Sequence, residues 1–474
     1  MATVHERLER VLERETPTWG IRPVPEKLRR FGALDLGILW GDLSIGLLVL
    51  VSGALLVPAL GLPMASVAVV VGSLLGCLPL ALMAYAGARE GVPGMVLFRP
   101  LLGVRGSWLP SAVNLVQLVG WTTFEFWAMA RIASAVGREL LGFEALWFWL
   151  AVVVVVCTAL ALAGPLFVVR RWLERFGIWV VVAVAVWITV KIGSAGDLGA
   201  LWRAPGTGGL PFWLAVDLVI AMPVSWLPLV ADYNRFARDP RASATGTFVS
   251  YAIGNIWFYL LGALLVLAAG AGPDVLDIGT TIAAAAGGAV VLVALLVGES
   301  DQAMANIYSG ALSVQNVAPR LSQRAVAIAI GVVAAAMAAA LQDDAVLTFE
   351  FFLFLIGSVF VPLVAVFAAH YLVRSRARYG EDRLFEAVAP GVRAHALVPW
   401  ALGFVVFQWC VPTGPAWWTA LVERGVHGVA HLPFPLFGGA LGASLPSFVA
   451  AFAVSLAVLP RAGATTRRPL LRRS

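Results

Sequence analysis

Apolar stretches long enough to cross a lipid bilayer recur along the whole of this chain. A transmembrane helix needs about 20 apolar residues at a rise of 1.5 Å each. With 60% hydrophobic and only 13% charged residues, a water-soluble chain could not bury so much apolar surface. The pattern therefore predicts an all-α polytopic membrane protein. Its twelve predicted transmembrane helices are residues 34–58, 62–88, 106–136, 145–168, 172–193, 210–235, 245–271, 283–317, 323–341, 345–374, 395–413 and 434–460.

The basic residues are distributed very unevenly between alternate loops. If the N-terminal tail is cytoplasmic, 28 of the 33 Lys and Arg residues lie in tails and loops on that side. Only Arg138, Arg203 and Arg424 lie in loops on the opposite side. Because cytoplasmic loops are enriched in Lys and Arg, we expect the tails at 1–33 and 461–474 to be cytoplasmic, in the cell membrane. The net charge of +6 then reflects topology better than nucleic-acid binding.

Several functional classes find little support in the sequence. The three cysteines, Cys77, Cys157 and Cys410, lie inside apolar runs and are best explained as small buried hydrophobes. The histidines form no HxxxH or HExxH pair, and no nucleophile elbow or phosphate loop is present, so an enzyme ranks far behind a transporter. The stretch ERLERVLERE is typical of a short helix at the membrane surface, and the N-terminus lacks the apolar core of a signal peptide.

Two of the predicted helices contain residues that interrupt a helix. In helix one, Gly41, Asp42 and Ser44 lie well inside the apolar run, where Gly and Asp disfavour helix. In helix six, Pro223 and Pro228 each remove a backbone donor. Each interruption alone could be an ordinary kink, which membrane helices tolerate. Their positions five helices apart predict instead two broken helices at equivalent places.

An inverted repeat of five plus five helices would make helices one and six equivalent. The first repeat would be residues 34–193 and the second 210–374, followed by two further helices in 395–460. Paired interruptions of this kind mark the central binding site of secondary transporters. An alternating-access transporter therefore explains the pattern better than a channel does.

The same symmetry pairs helices three and eight, which are the other two polar ones. Helix three carries four side chains on one face: Asn114, Gln117, Trp121 and Glu125. Helix eight carries five on one face, with Asp301 nearly opposite: Glu299, Gln302, Asn306, Ser309 and Ser313. For Gln117, Ser309 and Ser313 we favour interhelical hydrogen bonding. For the carboxylates Glu125, Glu299 and Asp301 we favour function, because a buried carboxylate needs a proton, a cation or a donor.

Five motifs spread over nearly the whole chain resemble one transporter family. They are GIRPVPEKLRR, FRPLLGVRGSWLP, GWTTFEFW, ADYNRFAR and ANIYSGALSVQN. Together they are similar to the nucleobase:cation symporter-1 family, which includes cytosine, purine, allantoin and hydantoin permeases. The resemblance implies the leucine-transporter fold, with two inverted five-helix repeats and two extra helices.

The resemblance also implies roles for individual residues. Trp121 matches the tryptophan that stacks on a planar substrate, Glu125 a polar residue that is often Gln in relatives, and Asn306 the residue that hydrogen-bonds the heterocycle. Pro223 stands where relatives have an aromatic, so either Trp226 replaces that aromatic or the substrate stacks on one face only. The candidate substrate-binding residues are Asp42, Trp121, Glu125, Met222, Pro223, Ser225, Trp226, Gln302 and Asn306. The candidate cation-binding residues are Gly41, Ser44, Ser300 and Asp301.

The chemistry of these side chains suggests a substrate class and leaves the coupling ion open. An ionised Glu125 offers only acceptors, which suits an amino group beside a ring N–H, as in cytosine, guanine or an aminopyrimidine. A protonated Glu125 could instead carry a coupling proton. Asp301 suits a hard cation or proton chemistry, and we favour Na⁺. We expect no other cofactor and no obligatory protein partner. The alternative is a transporter of the same fold for another solute such as an amino acid, but Asp42 suits a substrate carboxylate poorly.

Overall fold

The computed structural model describes residues 20–164, 178–341, 345–386, 391–436 and 440–460. The predicted surface helix at ERLERVLERE and the C-terminal tail lie outside these residues. Apart from one isolated bridge between Phe31 and Ala237, the described secondary structure is helical. The helices, with short 3-10 and π turns left out, are α1 Ala33–Asp42, α2 Leu47–Ala54, α3 Leu62–Glu90, α4 Gly94–Leu97, α5 Arg99–Leu102, α6 Trp108–Leu141, α7 Leu146–Ala163, α8 Ile178–Gly193, α9 Leu198–Arg203, α10 Phe212–Ser225, α11 Val230–Asn234, α12 Pro240–Ala269, α13 Val275–Ala286, α14 Ala289–Val317, α15 Gln323–Ala340, α16 Ala345–Ala368, α17 Ala394–Cys410, α18 Ala416–Glu423 and α19 Ser444–Val458.

Many of these helices are long and apolar enough to cross a membrane. In the described part of the chain, seven spans meet that criterion, or eight if the bent pair α1 and α2 is counted as one. Four shorter apolar helices, α8, α13, α17 and α19, have 10–17 residues. The long helix α6 does not meet the criterion, although it has 34 residues. The chain is therefore a multi-pass helical membrane protein, and the total of twelve spans stays a prediction.

Two predicted helix boundaries are wrong. The predicted helix 283–317 is two helices, because Gly287 and Gly288 adopt φ values of 124° and 73° between α13 and α14. Glycine adopts such values without steric cost, so it ends helices. The predicted helix 434–460 begins only at Ser444, after a turn rich in proline and glycine. Residues 165–177, which include the predicted boundary between helices four and five, lie outside the described residues.

Close helix packing surrounds the interrupted helices. Helices α6 and α14 run alongside each other, α12 packs against α1, α2 and α3, and α10 packs against α3 and α16. A Cβ on Gly53 of α2 would lie 2.1 Å from the Tyr259 carbonyl oxygen of α12, and one on Gly262 would lie 2.1 Å from the Leu50 carbonyl oxygen. Small residues allow such approaches in membrane helices. The close approaches at Gly53 and Gly262 pack α2 tightly against α12.

Candidate functional site

The first transmembrane segment is broken, as its sequence predicts. Helix α1 ends at Asp42, α2 begins at Leu47, and the two axes differ by 60°. Gly46 precedes α2 in an extended conformation and has no side chain with which to cap it. The break therefore exposes backbone groups of both half-helices at the centre of the bundle.

Two side chains of α14 satisfy these exposed groups. Glu299 Oε2 accepts a hydrogen bond from the Leu47 amide at 2.8 Å, and Gln302 Nε2 donates to the Ile45 carbonyl at 3.0 Å. The two residues are three apart and so share one helix face. A Cβ on Gly46 would lie 2.1 Å from Gln302 Nε2 and 2.7 Å from Glu299 Oε2. Only a glycine leaves room for both contacts in this arrangement.

The sixth segment is also interrupted. Helix α10 ends at Ser225 and α11 begins at Val230, with Pro228 in the turn between them. Gln117 Nε2 of α6 donates to the Ser225 carbonyl at 2.9 Å, a group that the interrupted helix leaves without its usual partner. The expectation of interhelical bonding for Gln117 is confirmed by this contact. Asn114 Nδ2 likewise donates to the Ser313 hydroxyl at 2.8 Å across α6 and α14.

A small cavity lies between the two breaks. It measures about 10 Å³, close to the minimum that one water molecule needs, so the site is nearly closed. Its lining contains six of the nine predicted substrate-binding residues: Trp121, Met222, Ser225, Trp226, Gln302 and Asn306. Helices three, six and eight therefore meet where their sequences predict a site. Gln302 connects the cavity to the break in helix one through its bond to the Ile45 carbonyl.

Aromatic rings hold the two tryptophans of the cavity in place. Trp121 packs edge-on against Phe349 and Phe352 of α16, with ring centroids 5.8 and 5.3 Å away. Trp226 packs edge-on against Trp40 of α1 at 5.8 Å. Neither phenylalanine is among the predicted site residues, because both lie in the mostly apolar run TFEFFLF, which gives no sign of a site.

Glu125 lies behind the cavity and does not line it. Its Oε1 accepts a hydrogen bond from Asn306 Nδ2 at 3.0 Å. Its Oε2 is buried and has no hydrogen-bond partner among the described residues. In this nearly closed geometry the carboxyl group of Glu125 orients Asn306, which lines the cavity, and direct substrate contact by Glu125 stays a prediction.

Pro223 packs against a neighbouring helix. A Cβ on Gly76 of α3 would lie 2.4 Å from Pro223 Cγ, so the proline ring packs into the surface of α3. It does not line the cavity. Trp226 follows the end of α10 at Ser225 and lies in the turn between the two half-helices. It lines the cavity, while its replacement of the aromatic and stacking on one face only both stay predictions.

Asp42 lies with the other acidic residues of α14 and does not line the substrate cavity. Its carboxylate interacts electrostatically with Asp301 and Glu299. Both of its oxygens are buried without a hydrogen-bond partner among the described residues, as is Oδ1 of Asp301. The helix α1 ends at Asp42, and the predicted substrate role of Asp42 stays a prediction. Orphaned carboxylate oxygens are suitable ligands for a hard cation.

The other predicted cation-binding residues are not all near this acidic group. The Ser44 hydroxyl donates to the Gly41 carbonyl at 2.6 Å, and a Cβ on Gly254 of α12 would lie 1.8 Å from Ser44 Oγ. Gly41 also faces α12, since its Cβ would meet Ser250 at 3.5 Å. The break folds back on itself as a turn, which places both side-chain positions on the α12 side. Ser300 Oγ donates to the Val297 carbonyl of its own helix at 2.7 Å.

One end of the site is sealed by the motif ADYNRFAR. Arg235 is fully buried and donates to the Gly20 carbonyl at 2.7 Å and to the Tyr308 hydroxyl at 3.0 Å. Asn234 Oδ1 accepts from Trp40 Nε1 at 2.7 Å. These contacts join α11 to α1, to α14 and to the segment that precedes α1. Access to the cavity from this end requires them to separate.

Comparison with known proteins identifies what the chain is similar to. A model of the family described as permease for cytosine/purines, uracil, thiamine and allantoin matches residues 23–430. The cytosine permease of Escherichia coli (strain K12) is 25% identical over 398 residues, covering 82% of this chain and 88% of that protein. The hydantoin permease of Microbacterium maritypicum is 22% identical over 382 residues, covering 75% and 76%.

The fold is similar to that of a solved transporter. The structure of Mhp1, a nucleobase-cation-symport-1 family transporter in a closed conformation with bromovinylhydantoin bound, matches with a TM-score of 0.77 at 19% identity. The match covers 93% of this chain and 94% of that one. The arrangement of broken and unbroken helices described above is therefore a leucine-transporter-like fold.

Proposed function

The chain belongs to the family of permeases for cytosine/purines, uracil, thiamine and allantoin, the nucleobase:cation symporter-1 family, and from this premise we propose that it imports a nucleobase or related N-heterocycle by alternating access. It is a transporter and not an enzyme. We place it in the cell membrane with both termini in the cytoplasm. Twelve spans with a five-plus-five inverted repeat complete the proposed architecture.

The observation that carries this proposal is the composition of the central cavity. Trp121 and Trp226 contribute two aromatic side chains, and Gln302 and Asn306 contribute two amides. A flat heterocycle needs an aromatic surface for stacking, worth about 1–3 kcal/mol per base, and polar groups at its edge. The cavity must expand to admit a base, as alternating access requires.

The hydrogen-bonding edge of the proposed substrate follows from the pair Glu125 and Asn306. Asn306 Nδ2 is engaged by Glu125 at 3.0 Å, so its carbonyl oxygen is available to accept from the substrate. An acceptor there suits a substrate amino group or ring N–H, which favours cytosine, guanine or an aminopyrimidine. Glu125 can join this interaction when the cavity expands.

We assign coupling to the acidic residues beside the cavity. Asp42 and Asp301 carry buried carboxylate oxygens without hydrogen-bond partners in the described chain. A co-transported Na⁺ would supply the missing partner for both, with Ser300 adjacent in sequence. Protonation of one carboxyl group would serve the same purpose, so H⁺ is the alternative coupling ion.

An amino acid as substrate is disfavoured by the break in the first segment. In transporters with broken helices, the N-terminus of a half-helix binds the substrate carboxylate. Here the Leu47 amide at the start of α2 is already bonded to Glu299. A substrate carboxylate would have to displace the protein's own carboxylate.

A thermal-shift screen of the purified protein tests the substrate and the ion together. We expect at least one nucleobase or aminopyrimidine to raise Tm by several degrees, because a ligand that binds only the folded state stabilises it. The rise should be larger in Na⁺ than in choline. A rise that is equal in both would reject Na⁺ coupling and keep the family substrate, whereas no response to any heterocycle would reject the proposed substrate class.

Glu125→Gln should change the order in which bases compete for uptake. The carboxamide adds a donor where the carboxylate has only acceptors. We therefore expect carbonyl-rich uracil and hydantoin to compete about tenfold better, relative to cytosine, than they do in the wild type. Competition assays with labelled substrate measure this order. Glu139→Gln, at an exposed position near the end of the same helix, is the matched control. If the bases compete for uptake in the same order in Glu125→Gln as in the wild type, Glu125 does not select the substrate.

A further inference from the structure

Glu299 supplies a carboxyl group to the N-terminus of the half-helix α2. The first amides of an α-helix have no acceptor within their own helix. In α2 the Leu47 amide donates to Glu299 Oε2 at 2.8 Å, and the Leu48 amide is directed at the same carboxyl group. Negative charge is stabilising at this end of a helix. The position that could receive a substrate anion is therefore filled from within the chain.

The filled position borders the substrate cavity. Glu299 is 1% exposed, and its Oε1 has no hydrogen-bond partner among the described residues. Gln302, one turn further along α14, bonds to the Ile45 carbonyl on the other side of the break and also lines the cavity. Gly46 leaves the space that both side chains use. A ligand in the cavity would thus contact Gln302, which lies on the same face of α14 as Glu299.

We propose that Glu299 is a built-in occupant of this anion position and that it restricts the transporter to neutral or cationic heterocycles. The inference rests on the proposed function above. A heterocycle carrying a carboxylate would meet a like charge at short range in a poorly polarisable interior. It would also find the Leu47 amide already bonded. Glu299 would then determine specificity by occupying the N-terminus of α2, the position that a substrate carboxylate would otherwise bind.

Chemical rescue tests the occupancy without requiring any substrate. The Tm of purified Glu299→Ala is compared in sodium formate and in sodium gluconate of equal concentration. Formate is small enough to replace the deleted carboxylate, so it should raise the Tm of this variant by several degrees, while the wild type should not respond. Glu125→Ala removes a carboxylate that faces no helix N-terminus, so formate should not raise the Tm of this variant. Equal responses of the two variants would overturn the proposal.

Discrimination between uracil and its carboxylated counterpart orotate tests the specificity. In the wild type, orotate should compete at least tenfold less well than uracil. Glu299→Gln keeps the shape and one acceptor but removes the charge. The ratio of the competing potencies of uracil and orotate should therefore fall by about tenfold. This variant also serves if Glu299→Ala does not fold. The proposal would be overturned if orotate competed as well as uracil in the wild type. It would also be overturned if Glu299→Gln left the ratio of their competing potencies unchanged. A wild type that binds no neutral base would instead reject the proposed function.

Discussion

Trp121→Ala should strongly weaken substrate binding. The indole lines the cavity and is held by the rings of Phe349 and Phe352. Loss of stacking on one aromatic surface is worth about 1–3 kcal/mol, which corresponds to a roughly 5- to 150-fold weaker Kd. The cavity would also collapse or fill with water. Binding of labelled base to purified protein, measured by equilibrium dialysis or calorimetry, gives the result directly.

The matched control for this variant is Trp127→Ala. Trp127 lies on the same helix, is as buried as Trp121 at 6% exposure, and packs against Arg131 without lining the central cavity. Its truncation should cost stability of a similar size while leaving the Kd within about twofold, because no site residue is lost. If Trp121→Ala binds substrate as well as Trp127→Ala does, the substrate site lies elsewhere.

Gly46→Ala should abolish transport. The added methyl carbon would lie 2.1 Å from Gln302 Nε2 and 2.7 Å from Glu299 Oε2, so both side chains must move away. Their bonds to the Ile45 carbonyl and the Leu47 amide would then be lost, and an unsatisfied buried group costs about 1–3 kcal/mol. Uptake in cells or proteoliposomes, together with Tm of the purified variant, measures both consequences.

Gly37→Ala is the control for the Gly46 variant. Gly37 lies in α1, and a Cβ there would meet nothing within 4 Å. Alanine is the better helix former by about 1 kcal/mol, so this variant should transport normally and be slightly more stable. Normal transport by Gly46→Ala would mean that the contacts of α14 with the break are dispensable.

Much of the architecture is predictable from local features. Apolar length identified most of the helices, and Gly41, Asp42 and Pro228 marked the interruptions at the right places, whereas Pro223 lies inside α10. The predicted family and fold are confirmed by the family match and the fold comparison. The predicted helix ends near Gly287 and Ser444 are wrong, because the long apolar runs on both sides of each turn outweigh the few glycines and prolines within it.

The candidate site, like the fold, is predictable from the sequence only in part. The sequence by itself determined which side chains are buried and polar, since bilayer-crossing length and side-chain chemistry are local properties. It therefore brought Trp121, Gln302 and Asn306 into one predicted site, and the structure places all three on one cavity. Twelve spans, the inverted repeat and the cytoplasmic termini stay predictions.

Only the tertiary structure decided where each polar atom is directed. Helix rotation and register place Glu125 behind Asn306, Asp42 beside Asp301, and the ring of Pro223 against α3. The same register brings Glu299 to the start of α2, a contact that joins residues 252 positions apart. No local pattern encodes such contacts, because they depend on the distance and angle between packed helices.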